Sequence, residues 1–133
     1  MSKESTKKIT LADFIARKEQ SQRDKHTPKT DELYIESLGG TITVEEPNMS
    51  LIEDTTTFTS GEGISENEAD AYLVYQSVRE PSLKTPELST NDAPHKIVFD
   101  LFKPGEIQGI AKHLMKMAGY SNESVRTVDK IKN

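Results

Sequence analysis

The sequence predicts an α+β protein in which a small C-terminal helical bundle is preceded by a β-hairpin and an N-terminal helical arm. Apolar residues recur at helical spacing from residue 65 onward, whereas residues 33–45 alternate like strands around a Gly-Gly pair. Only 33% of the chain is hydrophobic, below the roughly 45–50% of an average globular protein on a slightly broader count. We therefore expect a small core, with part of the chain outside it.

The N-terminal arm, residues 1–30, is predicted to be flexible and basic and to contain one short amphipathic helix. Thr10 and Asp13 have the spacing of a capping box, which predicts a helix over residues 11–24. Its apolar face consists of Leu11, Phe14 and Ile15. Because one apolar turn cannot bury itself well, we expect this face to dock on the protein's own body or on a partner.

Residues 31–63 are predicted to form a β-hairpin and an acidic linker. Strands over residues 33–38 and 41–45 flank Gly39-Gly40, which supplies the positive φ angles of a tight hairpin. An isolated hairpin is marginally stable in water, so we expect it to pack on helices or to join the sheet of another copy. The apolar residues of its return strand are Ile42 and Val44.

Residues 48–63 are harder to interpret, and we predict one helical turn or an irregular chain there. Ser50 and Glu53 have the spacing of a capping box. The threonine-rich run 55–59 opposes a helix, because β-branched side chains lose rotamer freedom in one. The glycines that follow indicate a linker.

Residues 64–133 are predicted to form a helical domain. A capping box at Ser65 begins a helix that Pro81 ends, and Pro104 opens the helix with the best apolar periodicity. Another helix is expected near Pro94 to Phe102, although its short apolar run also fits a strand. A last helix is expected to carry Val125, Val128 and Ile131.

The net charge of −5 is distributed unevenly along the chain. Residues 1–30 hold eight basic and four acidic residues, residues 31–66 hold nine acidic and no basic ones, and residues 67–133 hold nine of each. The basic arm is consistent with a solvated segment, with binding to the acidic middle of a neighbouring copy, or with binding to nucleic acid.

Several classes of protein and site are disfavoured by what the sequence lacks. There is no apolar run of membrane-spanning length, no apolar stretch of a signal peptide and no cysteine, so we expect a soluble cytoplasmic protein with no membrane partner. His26, His95 and His113 show no metal-ligand spacing and are expected on the surface. Phosphate-loop and nucleophile-elbow motifs are also missing. We accordingly predict no catalytic residue, no cofactor and no metal site.

Two features near the end of the chain remain. Glu106, in the run Lys103-Pro104-Gly105-Glu106, complements the dipole of the helix that starts there, which predicts a stabilised helix start. Met117 lies off the core face, and exposed methionine adapts to varied partner surfaces. The full set of residues predicted to contact a partner or a second copy is Leu11, Phe14, Ile15, Ile42, Val44, Met117 and Tyr120.

Four short motifs follow one another in the C-terminal half. They are the stretch Ala71 to Lys84 followed by Glu87-Leu88, the Pro-Gly-Glu stretch of residues 102–107, the triplet Ala118-Gly119-Tyr120, and the Lys-Ile-Lys-Asn run of residues 130–133. In order and spacing they resemble motifs of the XkdN-like phage tail assembly chaperones. The resemblance covers residues 64–133, and a hairpin ahead of the helices suits that family.

The resemblance implies a small non-catalytic protein of a phage or prophage. Such a chaperone binds the tape measure protein, keeps it soluble while tail tube protein polymerises around it, and then leaves. The resemblance further implies a homo-oligomer, in the cytoplasm of the bacterial host, that is absent from the mature virion. It assigns no binding residues, because the motifs look structural.

Two other functions are compatible with the residues. Residues 94–133 carry seven basic against four acidic residues, so three short helices there could act as a helix-turn-helix-like regulator that binds nucleic acid. The negative net charge of the chain and the lack of an arginine-rich helix argue against nucleic-acid binding. We therefore expect no nucleic acid among the partners. A small enzyme is the third possibility, although no pair of carboxylates is singled out.

Overall fold

A computed structural model describes residues 7–25, 27–60 and 65–128. The chain divides into two compact units, of which the first contains residues 1–28 and 121–133 and the second contains Lys29–Tyr120. The described residues form five α-helices and a three-stranded antiparallel sheet, which confirms the α+β class.

The first unit contains α1, which spans Leu11–Asp24 as predicted. The Thr10 hydroxyl accepts a hydrogen bond from the Asp13 amide at 3.2 Å, and the Asp13 carboxylate accepts one from the Thr10 amide at 2.9 Å. The bond from the Thr10 amide stabilises the charged carboxylate and lowers the pKa of Asp13. No residue of α1 is buried, so the capping box sets its start without help from a core.

The other described part of the first unit changes where the predicted last helix begins. Residues 121–125 form turns and bends, residues 126 and 127 have no regular secondary structure, and Val128 is helical, so Val125 lies outside the helix. Both Val125 and Val128 are exposed. The Ser121 hydroxyl accepts a hydrogen bond from the Glu123 amide at 3.1 Å, a local bond that competes with helix formation. Ile131 lies outside the described residues.

The second unit begins with the hairpin, whose strands are β1 (Thr30–Ile35) and β2 (Gly40–Glu45). The predicted two-residue turn is wrong, since Ile35 pairs with Gly40 and a four-residue loop joins the strands. Gly39 supplies the left-handed conformation (φ 65°) that this loop needs. Leu38 therefore lies in the loop and is exposed, instead of extending the first strand.

A third strand, β3 (Val78–Glu80), occupies residues that the sequence predicted as helix. It pairs antiparallel with β2, so β2 is the central strand of the order β1-β2-β3. Arg79 forms an ion pair with Glu45 of β2 at 2.9 Å. The helix ends early because Val78 pairs with Val44, a contact between residues far apart in sequence.

The prediction of one helical turn or irregular chain for residues 48–63 is also wrong, because α2 spans Met49–Ser60. The Asn48 side chain caps its start by accepting a hydrogen bond from the Leu51 amide at 2.9 Å. The Thr55 and Thr56 hydroxyls donate to the carbonyls of Leu51 and Ile52, one turn earlier, at 2.9 and 3.0 Å. These bonds keep the threonine hydroxyls within the helix and let the run fit it.

Three more helices complete the unit. They are α3 (Glu66–Ser77), α4 (Ile97–Leu101) and α5 (Pro104–Met117), and short 3-10 turns lie at Pro86–Leu88 and Pro94–Lys96. The predicted Ser65 cap and the predicted helix start at Pro104 are confirmed. At the end of α5, Gly119 adopts φ 92° and the Tyr120 amide donates to the Met115 carbonyl at 2.9 Å, which closes the helix in a Schellman motif.

One hydrophobic core joins the sheet to the helices. It contains Ile35, Ile42, Val44, Ala71, Leu73, Val74, Val78, Leu83, Val98, Phe102, Ile107, Ile110, Ala111 and Leu114. The predicted boundary between residues 63 and 64 is therefore not a boundary between cores, because the hairpin contributes three of these side chains. The predicted end of the arm at residue 30 lies two residues from the observed boundary at Pro28.

Glu106 connects the start of α5 to the hairpin loop. Its carboxylate accepts hydrogen bonds from the Lys103 amide (3.0 Å), the Ser37 amide (2.9 Å) and the Ser37 hydroxyl (2.7 Å). These bonds, of which the one from Lys103 has the largest effect, hold the pKa of Glu106 below its usual value. Glu106 thus does more than favour the helix dipole, since it also holds the hairpin loop against α5.

We expect Glu106→Gln to lower the free energy of unfolding at neutral pH, because a neutral amide accepts these bonds less strongly. A carboxyl with a lowered folded pKa stabilises the protein above its unfolded pKa, near 4.5, and loses that effect as the pH falls through the folded value. Urea unfolding at pH 7 and in acid should therefore show a difference that shrinks in acid. Glu36→Gln in the same loop is the control, and an equal effect of both variants would contradict the assignment.

Candidate partner-binding surfaces

The apolar face of α1 is uncovered within the described residues. Leu11, Phe14 and Ile15 are exposed by 74%, 64% and 50%, and their spacing places them on one side of the helix. Lys18 and Lys25 continue the same side, because they lie one and three turns after Phe14. The predicted docking of this face, on the protein's own body or on a partner, stays a prediction.

Ile42 and Val44 do not belong to a partner-binding surface. Their exposed fractions are 6% and 0%, and both side chains lie in the core. The prediction assumed that the return strand lies at an edge of the sheet. Because β3 covers β2 on its far side, β2 is central and its apolar face packs on the helices.

Met117 and Tyr120 have different surroundings at the end of α5. Met117 is half-buried and packs against the core, which corrects its predicted exposure. Tyr120 is exposed by 54%, as its place in the predicted set requires. The structure thus leaves Tyr120, of these two, as a surface side chain.

A first groove lies between β1 and α5 and has a volume of about 280 Å³. It is lined by Leu33, Tyr34, Ile35, Glu106, Gly109, Ile110 and His113. A Cβ atom added at Gly109 would meet no atom within 4 Å, so the groove is open at this point. His113 Nε2 lies 2.7 Å from Asp31 Oδ2 and joins α5 to the edge strand.

A second groove, the α2–α3–α5 groove, is lined by Ile52, Thr55, Thr56, Glu66, Ala69, Asp70, Leu73 and Met115 and has a volume of about 170 Å³. Apolar side chains from all three helices meet in it. Glu66 and Asp70 lie on its rim, one turn apart on α3. The sequence did not indicate this groove, because residues 48–63 were predicted to form only one helical turn or an irregular chain.

Two carboxylates, those of Glu66 and Asp70, repel each other at the rim of the α2–α3–α5 groove. Within the described part of the chain, no basic side chain lies within salt-bridge distance of Glu66 or Asp70. Partial burial raises the pKa of Asp70, and the negative charge of Glu66 raises it further. Like charges one helical turn apart repel, so a cation placed between these carboxylates would be stabilising.

A third groove, of about 360 Å³, lies beside the 3-10 turn at Pro86–Leu88. Tyr75, Leu83 and Leu88 supply its apolar lining. Lys84 crosses it, with Nζ 5.6 Å from the centre of the Tyr75 ring and 2.7 Å from Gln76 Oε1. Lys84 is therefore already held by this groove's own side chains.

The histidines make structural pairs. His95, expected on the surface, is 7% exposed, and its Nε2 lies 2.8 Å from Glu68 Oε2. Together with the ion pair from Lys96 at 3.1 Å, this hydrogen bond lowers the pKa of Glu68. His26 lies outside the described residues. Within residues 7–25, 27–60 and 65–128, no three His, Asp or Glu side chains are grouped closely enough to hold a metal ion.

A search of the described helices for membrane-spanning segments finds none that is long and apolar enough. Comparison of the chain with protein-family models, with curated proteins and with solved structures finds no match in any of the three.

Proposed function

We propose that this protein is a non-catalytic tail assembly chaperone of a phage or prophage, acting in the host cytoplasm. It binds the tape measure protein, keeps it soluble and helps tail tube protein to polymerise around it. The observation that carries the proposal is α1, a helix that lies outside the Lys29–Tyr120 unit and whose apolar side chains are exposed. The resemblance of residues 64–133 to tail assembly chaperones supplies the type of partner.

The exposed face of α1 favours a protein that works by binding other chains. A 14-residue helix is marginally stable on its own, and most helices gain their stability from packing an apolar face. Leu11, Phe14 and Ile15 therefore gain stability when a partner covers them, since about 25 cal/mol is gained for each Å² of apolar surface buried. Such a gain suits a reversible binder of another protein.

Weak contacts of this kind become strong when they are repeated. A long substrate that binds many linked copies converts modest single affinities into a large combined one. The opposed charges of the basic arm and the acidic residues 31–66 would favour a regular arrangement of copies. A chaperone coating a rod-like substrate needs both properties, and it can leave when tube subunits compete.

The residues of the resembling motifs have structural roles in this chain. Glu106 of the Pro-Gly-Glu stretch holds the hairpin loop, and Gly119 ends α5. Within the Ala71 to Lys84 stretch, Leu73 and Leu83 lie in the core. These roles indicate that the motif residues stabilise the fold. We therefore place the binding residues outside the motifs, on α1 and in the grooves.

Co-expression tests the proposed function directly. The tape measure protein of the same genome should be insoluble when it is expressed alone and should move to the soluble fraction when this chain is co-expressed. A tape measure protein that aggregates equally in both cases would contradict the proposal. A salt-dependent shift of duplex DNA by the purified chain, with no effect on the tape measure protein, would instead favour the helix-turn-helix-like regulator.

A further inference from the structure

We propose that α1 of one copy docks in the α2–α3–α5 groove of a second copy, with Phe14 in the groove and Lys18 at the carboxylates of Glu66 and Asp70. This inference deepens the proposed function by naming the contact that links the copies. It does not need the tape measure protein, so the two can be tested separately.

The groove and the side chain match in size and polarity. A cavity of about 150 Å³ lined by aliphatic side chains is known to hold a benzene ring, and this groove measures about 170 Å³. Phe14 is 64% exposed and carries such a ring. Ile52 and Met115, which are half-buried, would contact the ring above the buried Leu73, and the contact would remove water from both apolar surfaces.

The charges beside the two surfaces also match. Lys18 follows Phe14 by four residues, about 6 Å along the helix axis. Glu66 and Asp70 are separated by the same step on α3, at the rim of the groove. An ammonium group between these carboxylates would relieve their repulsion and lower the raised pKa of Asp70.

The wider charge distribution favours the same occupant. The helix belongs to the segment with eight basic and four acidic residues, and α2 belongs to the segment with nine acidic and no basic ones. Attraction between a basic segment and an acidic segment steers the association of two copies. Repulsion disfavours contacts in which two basic segments or two acidic segments meet.

The proposed contact between α1 and the α2–α3–α5 groove can link many copies of the chain in a row. Each copy offers one helix and one groove, so a contact made in one direction is head-to-tail and leaves a free helix at one end and a free groove at the other. Head-to-tail contacts that do not close into a ring extend into rows. A row of copies would match a long, rod-like substrate.

Sedimentation velocity of the purified full chain tests the contact. Wild type should associate with increasing concentration and less at high salt, since the ion pair is screened. Phe14→Ser should raise the dissociation constant about tenfold or more, as loss of a central aromatic anchor does. Ala16→Ser on the opposite face of α1 is its control and should leave association unchanged.

Charge reversal tests the partner of Lys18. Lys18→Glu and Glu66→Lys should each weaken association, and the double variant Lys18→Glu/Glu66→Lys should recover most of it. Glu66 is exposed, so Glu66→Lys should leave the core intact and shift the melting temperature by only a few degrees, and Glu87→Lys is a control with the same net charge. Equal weakening by Glu87→Lys, or no recovery in the double variant, would overturn the assignment.

Mixing provides the decisive arm of the experiment. Phe14→Ser has an intact groove and Glu66→Lys has an intact helix, so an equimolar mixture should form a dimer that neither variant forms alone. Association that survives Phe14→Ser would overturn the contact, and so would a wild type that stays monomeric because α1 covers its own groove. A solubilised tape measure protein would leave the proposed function standing in either case.

Discussion

Replacing Ile42 by alanine is expected to lower the free energy of unfolding by about 2–5 kcal/mol, as truncation of a buried aliphatic side chain does. Ile42 is 6% exposed in the central strand, and removing its side-chain carbons would leave a cavity in the shared core. Small domains are stable by only about 5–15 kcal/mol, so this loss is a large fraction of the total.

Urea unfolding followed by circular dichroism measures this effect. Leu38→Ala, which truncates an exposed aliphatic side chain in the neighbouring loop, should change stability by less than about 0.5 kcal/mol. If Ile42→Ala weakened association while leaving stability intact, Ile42 would be a contact residue after all and its burial would be contradicted.

The second large effect is expected on α1. Replacing Leu11, Phe14 and Ile15 together by serine should return the tape measure protein to the insoluble fraction, because the variant lacks the apolar face that we propose binds a partner. The melting temperature of the Lys29–Tyr120 unit should not change, since no residue of α1 is buried. Co-expression and thermal melting measure the two outcomes.

The control for this variant carries serine on the opposite side of the same helix. Ala16, Gln20 and Asp24 are exposed there, and their joint replacement adds the same three serines without touching the apolar face. It should leave the tape measure protein soluble. Loss of solubility with both variants would mean that helix formation, and not the apolar face, is what matters.

The helices with local signals were predictable from the sequence. The capping box at Thr10 and Asp13 determines the start of α1, and the proline at residue 104 with the apolar periodicity behind it determines α5. Each of these signals acts within one or two turns, so a single sequence is enough to find it.

Elements that depend on distant contacts were not predictable. Val78 belongs to β3 because it pairs with Val44, which local periodicity cannot reveal. In α2, the threonine run is tolerated because the Thr55 and Thr56 hydroxyls donate to carbonyls one turn back. Local signals were present in the capping-box spacing of Ser50 and Glu53 and in the asparagine at residue 48, which caps the helix in the structure.

The candidate partner-binding surfaces were predicted only in part for the same reason. The exposed face of α1 follows from a helix with a single apolar turn, which is a local property. The burial of Ile42 depends on a third strand and on helices that cover the sheet. The carboxylates of Glu66 and Asp70 became a candidate site only once α2 placed apolar side chains beside them.

The most direct test of the central claim is the mass of the complex that co-purifies with the tape measure protein, measured by light scattering after size exclusion. We expect several copies of this chain on each tape measure chain, and fewer copies with the serine variant of α1. A tape measure protein that purifies with no copy, or with one copy regardless of α1, would contradict the claim that this protein is an assembling chaperone.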